Sequence, residues 1–274
     1  MTTDHTLAIA RVCLAIFAER LLSRALMDGD VVFQKIPKAD YDAERIARTL
    51  GALKDRLFGE FHAKTLTKKQ ATAPALRRAL EKVAREAGPE NVAIVFFSSH
   101  GVVDPKLGFY LATYEADPQA PAETALTGKE LSRLLEGIKA RTVLALDTCH
   151  AGGAFGGARL QRVVTSPNDL TGLINELSDA DQGTVVLSSS AASELSLGDV
   201  KSGGLFTQAL CEGLASKAAA DATGAVTCRG LQTWLNKRVP ELVAALVKGV
   251  ENPPQQTPVC VIPKGVPDFP LAKP

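Results

Sequence analysis

Arg141-Thr142-Val143-Leu144-Ala145-Leu146-Asp147-Thr148-Cys149-His150-Ala151-Gly152-Gly153 is the stretch from which the architecture follows. Five of the six residues from Thr142 to Asp147 are apolar or β-branched, with no polar alternation, the pattern of a strand buried on both faces. The run stops abruptly at Asp-Thr-Cys-His and passes into small residues. In an open parallel sheet, ligands bind at the carboxyl ends of the strands, so a thiol at such an end is exposed to substrate. Asn91-Val92-Ala93-Ile94-Val95-Phe96-Phe97-Ser98-Ser99-His100-Gly101 has the same form and ends in an imidazole and a glycine. Cys149 and His100, at the tips of two buried strands, make a candidate cysteine–histidine catalytic pair.

Composition narrows the function classes. Lys plus Arg number 31 against 30 Asp plus Glu, so no basic field points to nucleic acid, and one Trp and three Tyr are too few for base-stacking platforms. A hydrophobic share of 46% with 22% charged residues suits a soluble chain with a full core, read as one domain over residues 1–274. The five cysteines are scattered, with no CxxC pair and no His/Cys cluster at metal spacing. That pattern excludes a zinc site and suits a reducing, cytoplasmic compartment. Cys13, Cys211, Cys228 and Cys260 read as small buried hydrophobes. Leu7–Met27 is apolar, but Arg11, Glu19, Arg20 and Arg24 interrupt it, so it is read as core and not as a membrane span or signal.

Along the chain, Thr6–Val12 is a candidate first strand and Cys13–Met27 has helical spacing, with Ala8–Val12 ambiguous between the two. Val31–Phe33 is a candidate short strand. Asp42–Leu53 is an amphipathic helix with Ile46, Leu50 and Leu53 inward. Phe61–Leu66 is a short strand, and Thr72-Ala73-Pro74 opens a helix with a cap and an early proline. Gly108–Ala112 is a strand or hairpin arm, Thr127–Ile138 a helix, and Thr184–Ser190 another buried strand. Residues 203–214 lead into a helix, Val226–Leu246 holds one or two more, and Thr257–Ile262 is a late strand. The alternation from residue 61 to 214 implies an α/β fold, a mostly parallel central sheet with helices on both faces. Gly152–Gly183 is a long Gly/Ser/Asn/Asp-rich connection, expected to be a mobile loop.

Ser98-Ser99-His100-Gly101 together with Asp147-Thr148-Cys149-His150-Ala151-Gly152 resembles the caspase and metacaspase type of cysteine peptidase, specifically its bacterial branch, which commonly has Ser-Gly-His-Gly and Asp-x-Cys-His-Ser-Gly. Asp42-Ala43-Glu44, Lys64–Thr67 with Ala71-Thr72, Ser188–Ser190, Gly203–Thr207 and Gln256-Thr257-Pro258 extend the likeness over about residues 39–270. Ser99 stands where the branch usually has Gly, Ala151 where it has Ser, and residues 1–38 match poorly.

The resemblance implies a caspase-like fold and a division of labour. Cys149 would attack as the thiolate and form an acyl-enzyme, and His100 would keep it activated and protonate the leaving amine. Backbone N–H groups of Gly101 and Cys149 would hold the oxyanion. His150 should point away from the cleft. Animal caspases carry Gln two residues before the cysteine and favour an acidic P1 side chain, the residue on the amino side of the cut bond. Here that position is Asp147, and Asp42 matches the metacaspase aspartate of the first helix. Asp42, Ser98 and Asp147 are therefore the expected P1 pocket for Arg or Lys. The simpler reading of Asp42 is a helix cap.

Arg159 and Arg162 are candidate self-cleavage sites, or ordinary solvated arginines. Calcium activates several metacaspases, but no EF-hand-like run is present. Glu176, Asp179 and Asp181 are a weak candidate cluster, and Asp221–Gly224 is too poor in carboxylates to be a calcium loop. No cofactor or metal is expected. The implied partners are protein substrates and an upstream activator protein or protease, with neither nucleic acid nor membrane. Related domains work in stress, cell-death or antiphage systems. Two other readings remain open: a catalytically silent scaffold with this fold, and a different thiol hydrolase on an α/β sheet.

Overall fold

The structure, a computed structural model, describes residues 10–17, 38–104, 106–150, 173–174, 177, 183–191, 194, 196–199 and 202–274, with the backbone alone at 10–17, 103, 149 and 150. The chain runs β1 (Ala10–Phe17), α1 (Ala39–Ala52), β2 (Phe61–Leu66), α2 (Ala73–Glu86), β3 (Val92–Asp104), β4 (Gly108–Leu111), α3 (Pro121–Thr124), β5 (Leu126–Thr127), α4 (Gly128–Glu136) and β6 (Arg141–His150). It continues through β7 (Val185–Ser188), β8 (Gly198–Asp199), β9 (Gly203–Gly204), α5 (Leu205–Ala215), β10 (Val226–Thr227), α6 (Cys228–Leu246), β11 (Val259–Val261) and β12 (Pro270–Ala272).

The central sheet has the order β11-β7-β6-β3-β1-β2. All neighbours are parallel except β11, which runs antiparallel to β7. The sheet is therefore mixed, with helices on both faces. Residues of β3 and β6 alternate between two cores. Val92, Ile94, Phe96, Val143 and Ala145 lie in the core with α1, α5 and α6, whereas Ala93, Val95, Phe97, Leu144 and Leu146 lie in the core with α2 and α4. Both sets are apolar because both faces are covered, which is why neither strand shows polar alternation.

The helices form where their sequences direct. Thr72 caps α2 by accepting the Ala75 N–H, with Pro74 in the first turn, and Leu76, Leu80 and Val83 make the inward stripe. Thr127 caps α4 through the Glu130 N–H. Val226–Leu246 resolves into one helix, α6, with Pro240 inside it.

Three expectations change. The N-terminal stretch is strand as far as Phe17, so the helical spacing from Cys13 does not describe residues 13–17. β1 is paired on both sides, with β2 and β3, and a short apolar run in such a central strand cannot be told from a buried helix by periodicity. The first helix starts at Ala39, not Asp42, with Lys38 at its N-cap. The connection from 152 to 183 is not all loop: Leu173, Ile174 and Leu177 are helical and buried in the core with α2 and α4. Val31–Phe33, Arg159, Arg162, Glu176, Asp179 and Asp181 lie outside the described residues. Among the described residues, no helix is long and apolar enough to cross a membrane.

Candidate active site

The parallel register of β3 and β6 runs without a break from Val92↔Arg141 to Gly101↔His150. Within it His100 is the direct partner of Cys149, and Ser98 of Asp147. Neighbouring strands lie about 4.8 Å apart, so the two ladder positions are adjacent. The pleat gives positions 98, 100 and 147 the same parity as Phe96 and Ala145, toward the core with α1, α5 and α6. The ladder between β6 and β7 stops at Leu146↔Ser188, after which the Ser189 N–H donates to Leu146 O. Among the described residues, 147–150 keep β3 alone beside them in the sheet, at the carboxyl ends of the strands where parallel sheets bind ligands. His100 is buried, and its carbonyl accepts the Ala112 N–H where β4 folds back on β3. Gly101 is required by packing: a Cβ there would stand 2.8 Å from the Phe109 ring.

The two carboxylates meet at the start of α5. Asp42, in the first turn of α1 and 1% exposed, accepts the Gly204 N–H with both oxygens, at 3.2 and 3.0 Å. It caps no turn of its own helix, so the simple cap reading is replaced by a long-range contact. Asp147, 6% exposed, accepts Ser196 Oγ–H on Oδ1 at 2.7 Å, and the Thr207 N–H at 3.2 Å and Oγ–H at 2.5 Å on Oδ2. Both groups thus complement the amino end of α5, where backbone N–H groups need acceptors and the dipole favours negative charge. Gly203 and Gly204 make the approach possible. A Cβ at Gly203 would overlap the Asp42 carboxylate, one at Gly204 would overlap Asp147 Oδ2, and Gly203 has φ +82°.

Burial, and then the charge of Asp147, push the Asp42 carboxyl up to about 8, with the Gly204 N–H and Arg45 pulling it back. Burial also raises Asp147, against the hydrogen bonds of Thr207 and Ser196. Two desolvated carboxylates in one site resist ionising together, and a cation placed against them would relieve both. By contrast, the Cys211, Cys228 and Cys260 thiols are unpaired and burial pushes them up to about 11, 12 and 12, so they stay protonated and inert.

Ser196, Thr207, Gly203, Gly204 and Gln256 complete the site, and sequence reasoning gives them no role in it. The Gly-Gly pair before a helix carries the only local signal. Asp221 serves a turn, accepting from Thr223 and Ala225. Among the described residues, no group of three or more His, Cys, Asp or Glu is placed to hold a metal ion.

Comparison with known proteins agrees with this layout. The caspase domain sequence profile matches residues 25–259. A Geobacter sulfurreducens protein of known structure superposes with TM-score 0.59 at 19% identity, covering 95% of each chain. Caspase-1 from Spodoptera frugiperda superposes with TM-score 0.58 at 16% identity, covering 94% of this chain and 89% of its own. The pro-form of Spodoptera caspase-1 gives 0.53 at 14% identity, over 96% and 93%. No curated protein sequence matches significantly. With most of its length matched by that profile, the chain belongs to the caspase-domain peptidase family, C14.

Proposed function

We propose that the chain is a cysteine endopeptidase that cuts polypeptides after Arg or Lys. The observation that carries this is the unbroken register that pairs His100 with Cys149 and Ser98 with Asp147 at one end of the sheet. The Cys149 thiolate attacks the scissile carbonyl carbon, and the N–H groups of Gly101 and Cys149 hold the resulting oxyanion. His100 passes a proton to the departing amine, leaving a thioester that water then hydrolyses with His100 as base.

Asp42, Ser98 and Asp147 form the P1 pocket. Its support is electrostatic: two buried carboxylates, both raised by burial and Asp42 also by the charge of Asp147, favour a cationic guest over a neutral or acidic one. A carboxylate accepts about four hydrogen bonds, so Asp42, with one backbone donor, retains acceptor capacity for a guanidinium. An enzyme of this specificity also has substrates in its own Arg159 and Arg162, and cutting there is the proposed self-processing step.

The test is hydrolysis of fluorogenic peptides with Arg, Lys, Asp or Asn at P1, with and without calcium, by wild type and Cys149→Ala. Cleavage after Arg or Lys that disappears in Cys149→Ala supports the reading. Cleavage after Asp or Asn keeps the nucleophile and removes the pocket assignment. Silence with every peptide favours a scaffold or a requirement for the upstream activator.

A further inference from the structure

Gln256 precedes β11 and is 2% exposed, yet its amide works at both ends on the segment between β7 and β8. Oε1 accepts the Leu197 N–H at 2.8 Å, while Nε2 donates to Ser189 O at 2.9 Å and to Ser196 Oγ at 3.4 Å. A backbone N–H only donates and a carbonyl only accepts, so these partners permit one orientation of the amide. That orientation sets the direction of the next hydrogen bond. The Ser196 oxygen receives from Gln256, and its own proton goes to Asp147 Oδ1. With both donors of Thr207, Asp147 then has three hydrogen bonds that favour its charged form, against a single backbone donor for Asp42. These donors offset the burial that raises Asp147, and Asp147 has more of them than Asp42.

We propose that Gln256 is a positioning residue for specificity: by orienting Ser196 it holds Asp147 as the charged group that meets a basic P1 side chain. This rests on the reading of Asp42 and Asp147 as the P1 pocket. Gln256 reaches Asp147 through Ser196, while its bonds to Leu197 and Ser189 hold the same segment. Among the described residues, the other charged groups acting on the pair are Arg45 and Asp40 of α1, both on the Asp42 side.

The full chain is tested by two measurements: NMR titration of isotope-labelled aspartate carboxyls, and kcat/KM for peptides with Arg or its neutral isostere citrulline at P1. The variants are Gln256→Met, which keeps the length and removes the donors, Ser196→Ala, and the two together. The Asp147 titration midpoint should rise by the same amount in all three, since both changes remove one link. The preference for Arg over citrulline should fall about tenfold through KM, as for losing one hydrogen bond to a charged group. If Gln256→Met does not fold, Gln256→Glu retains the acceptor for Leu197 and is compared with and without Ser196→Ala. An unmoved Asp147 midpoint, independent effects that add, or equal losses with Arg and citrulline overturn the proposal. A wild type indifferent to the charge at P1 refutes the pocket reading instead, and the titration alone then decides whether Gln256 governs Asp147.

Discussion

Asp42→Asn should make the protein more stable at neutral pH, although it removes a hydrogen-bonded carboxylate. The Asp42 carboxyl lies near 8 in the folded chain against an ordinary 3.8. Between those values the native state holds a proton that the unfolded chain has lost, so stability falls as pH rises from about 4 to about 8. At pH 7 the distance from the unfolded value is about 3 units, and at 1.36 kcal/mol per unit the ceiling is about 4 kcal/mol. Denatured-state structure and relaxation of the site reduce this, so a gain of about 2–3 kcal/mol is expected at pH 7 and about none at pH 4. The Asn carbonyl oxygen can still accept the Gly204 N–H, which keeps the comparison clean. Urea denaturation of wild type and Asp42→Asn at pH 4, 5.5, 7 and 8 reads the slope, and the variant should lose less stability with rising pH than wild type, the remainder belonging to Asp147. The same substitution should weaken Arg cleavage at least tenfold. Equal destabilisation of the variant at pH 4 and pH 8 would refute the reasoning, because it would mean that Asp42 is a structural acceptor with an ordinary titration.

Packing sets the remaining expectations. Gly204→Ala should destabilise by about 2–3 kcal/mol and abolish peptide cleavage, since its Cβ overlaps Asp147 Oδ2. Gly108→Ala, at φ +70° but with open space around it, should cost only about 1 kcal/mol and leave cleavage intact; denaturation midpoints and the peptide assay check both. Phe206→Ala, fully buried at the start of α5, should cost about 3–5 kcal/mol by thermal or chemical denaturation.

Elements with local signals are legible in the sequence. The tips of β3 and β6 stand out because apolar runs end in reactive side chains, and the caps Thr72 and Thr127 sit where the chemistry of helix starts requires them. The end of β1 is not legible, because a strand paired on both sides has the composition of a buried helix. The start of α1 is hidden because Lys38 at its N-cap makes no side-chain hydrogen bond. Ser196, Thr207 and Gln256 lie far from Asp147 in sequence, and their hydrogen bonds exist only once α5 and the segment before β11 have docked. Asp42 is noticeable for its charge, but its partner, Gly204, carries no side chain to advertise the contact.

The hydrophobic interior is shared across residues 151–172. Ala43, Ile46 and Phe96 precede that stretch, Leu205, Phe206 and Leu235 come after it, and all belong to one packed cluster. The backbone ladder from Val143–Leu146 to Val185–Ser188 and the tether from Asp42 to Gly204 also join the two sides. A single broken peptide bond within 151–172 would therefore release no fragment. The nicked protein would migrate as one particle on size exclusion and as two bands on a denaturing gel. The cut would leave the strands that carry His100 and Cys149 assembled.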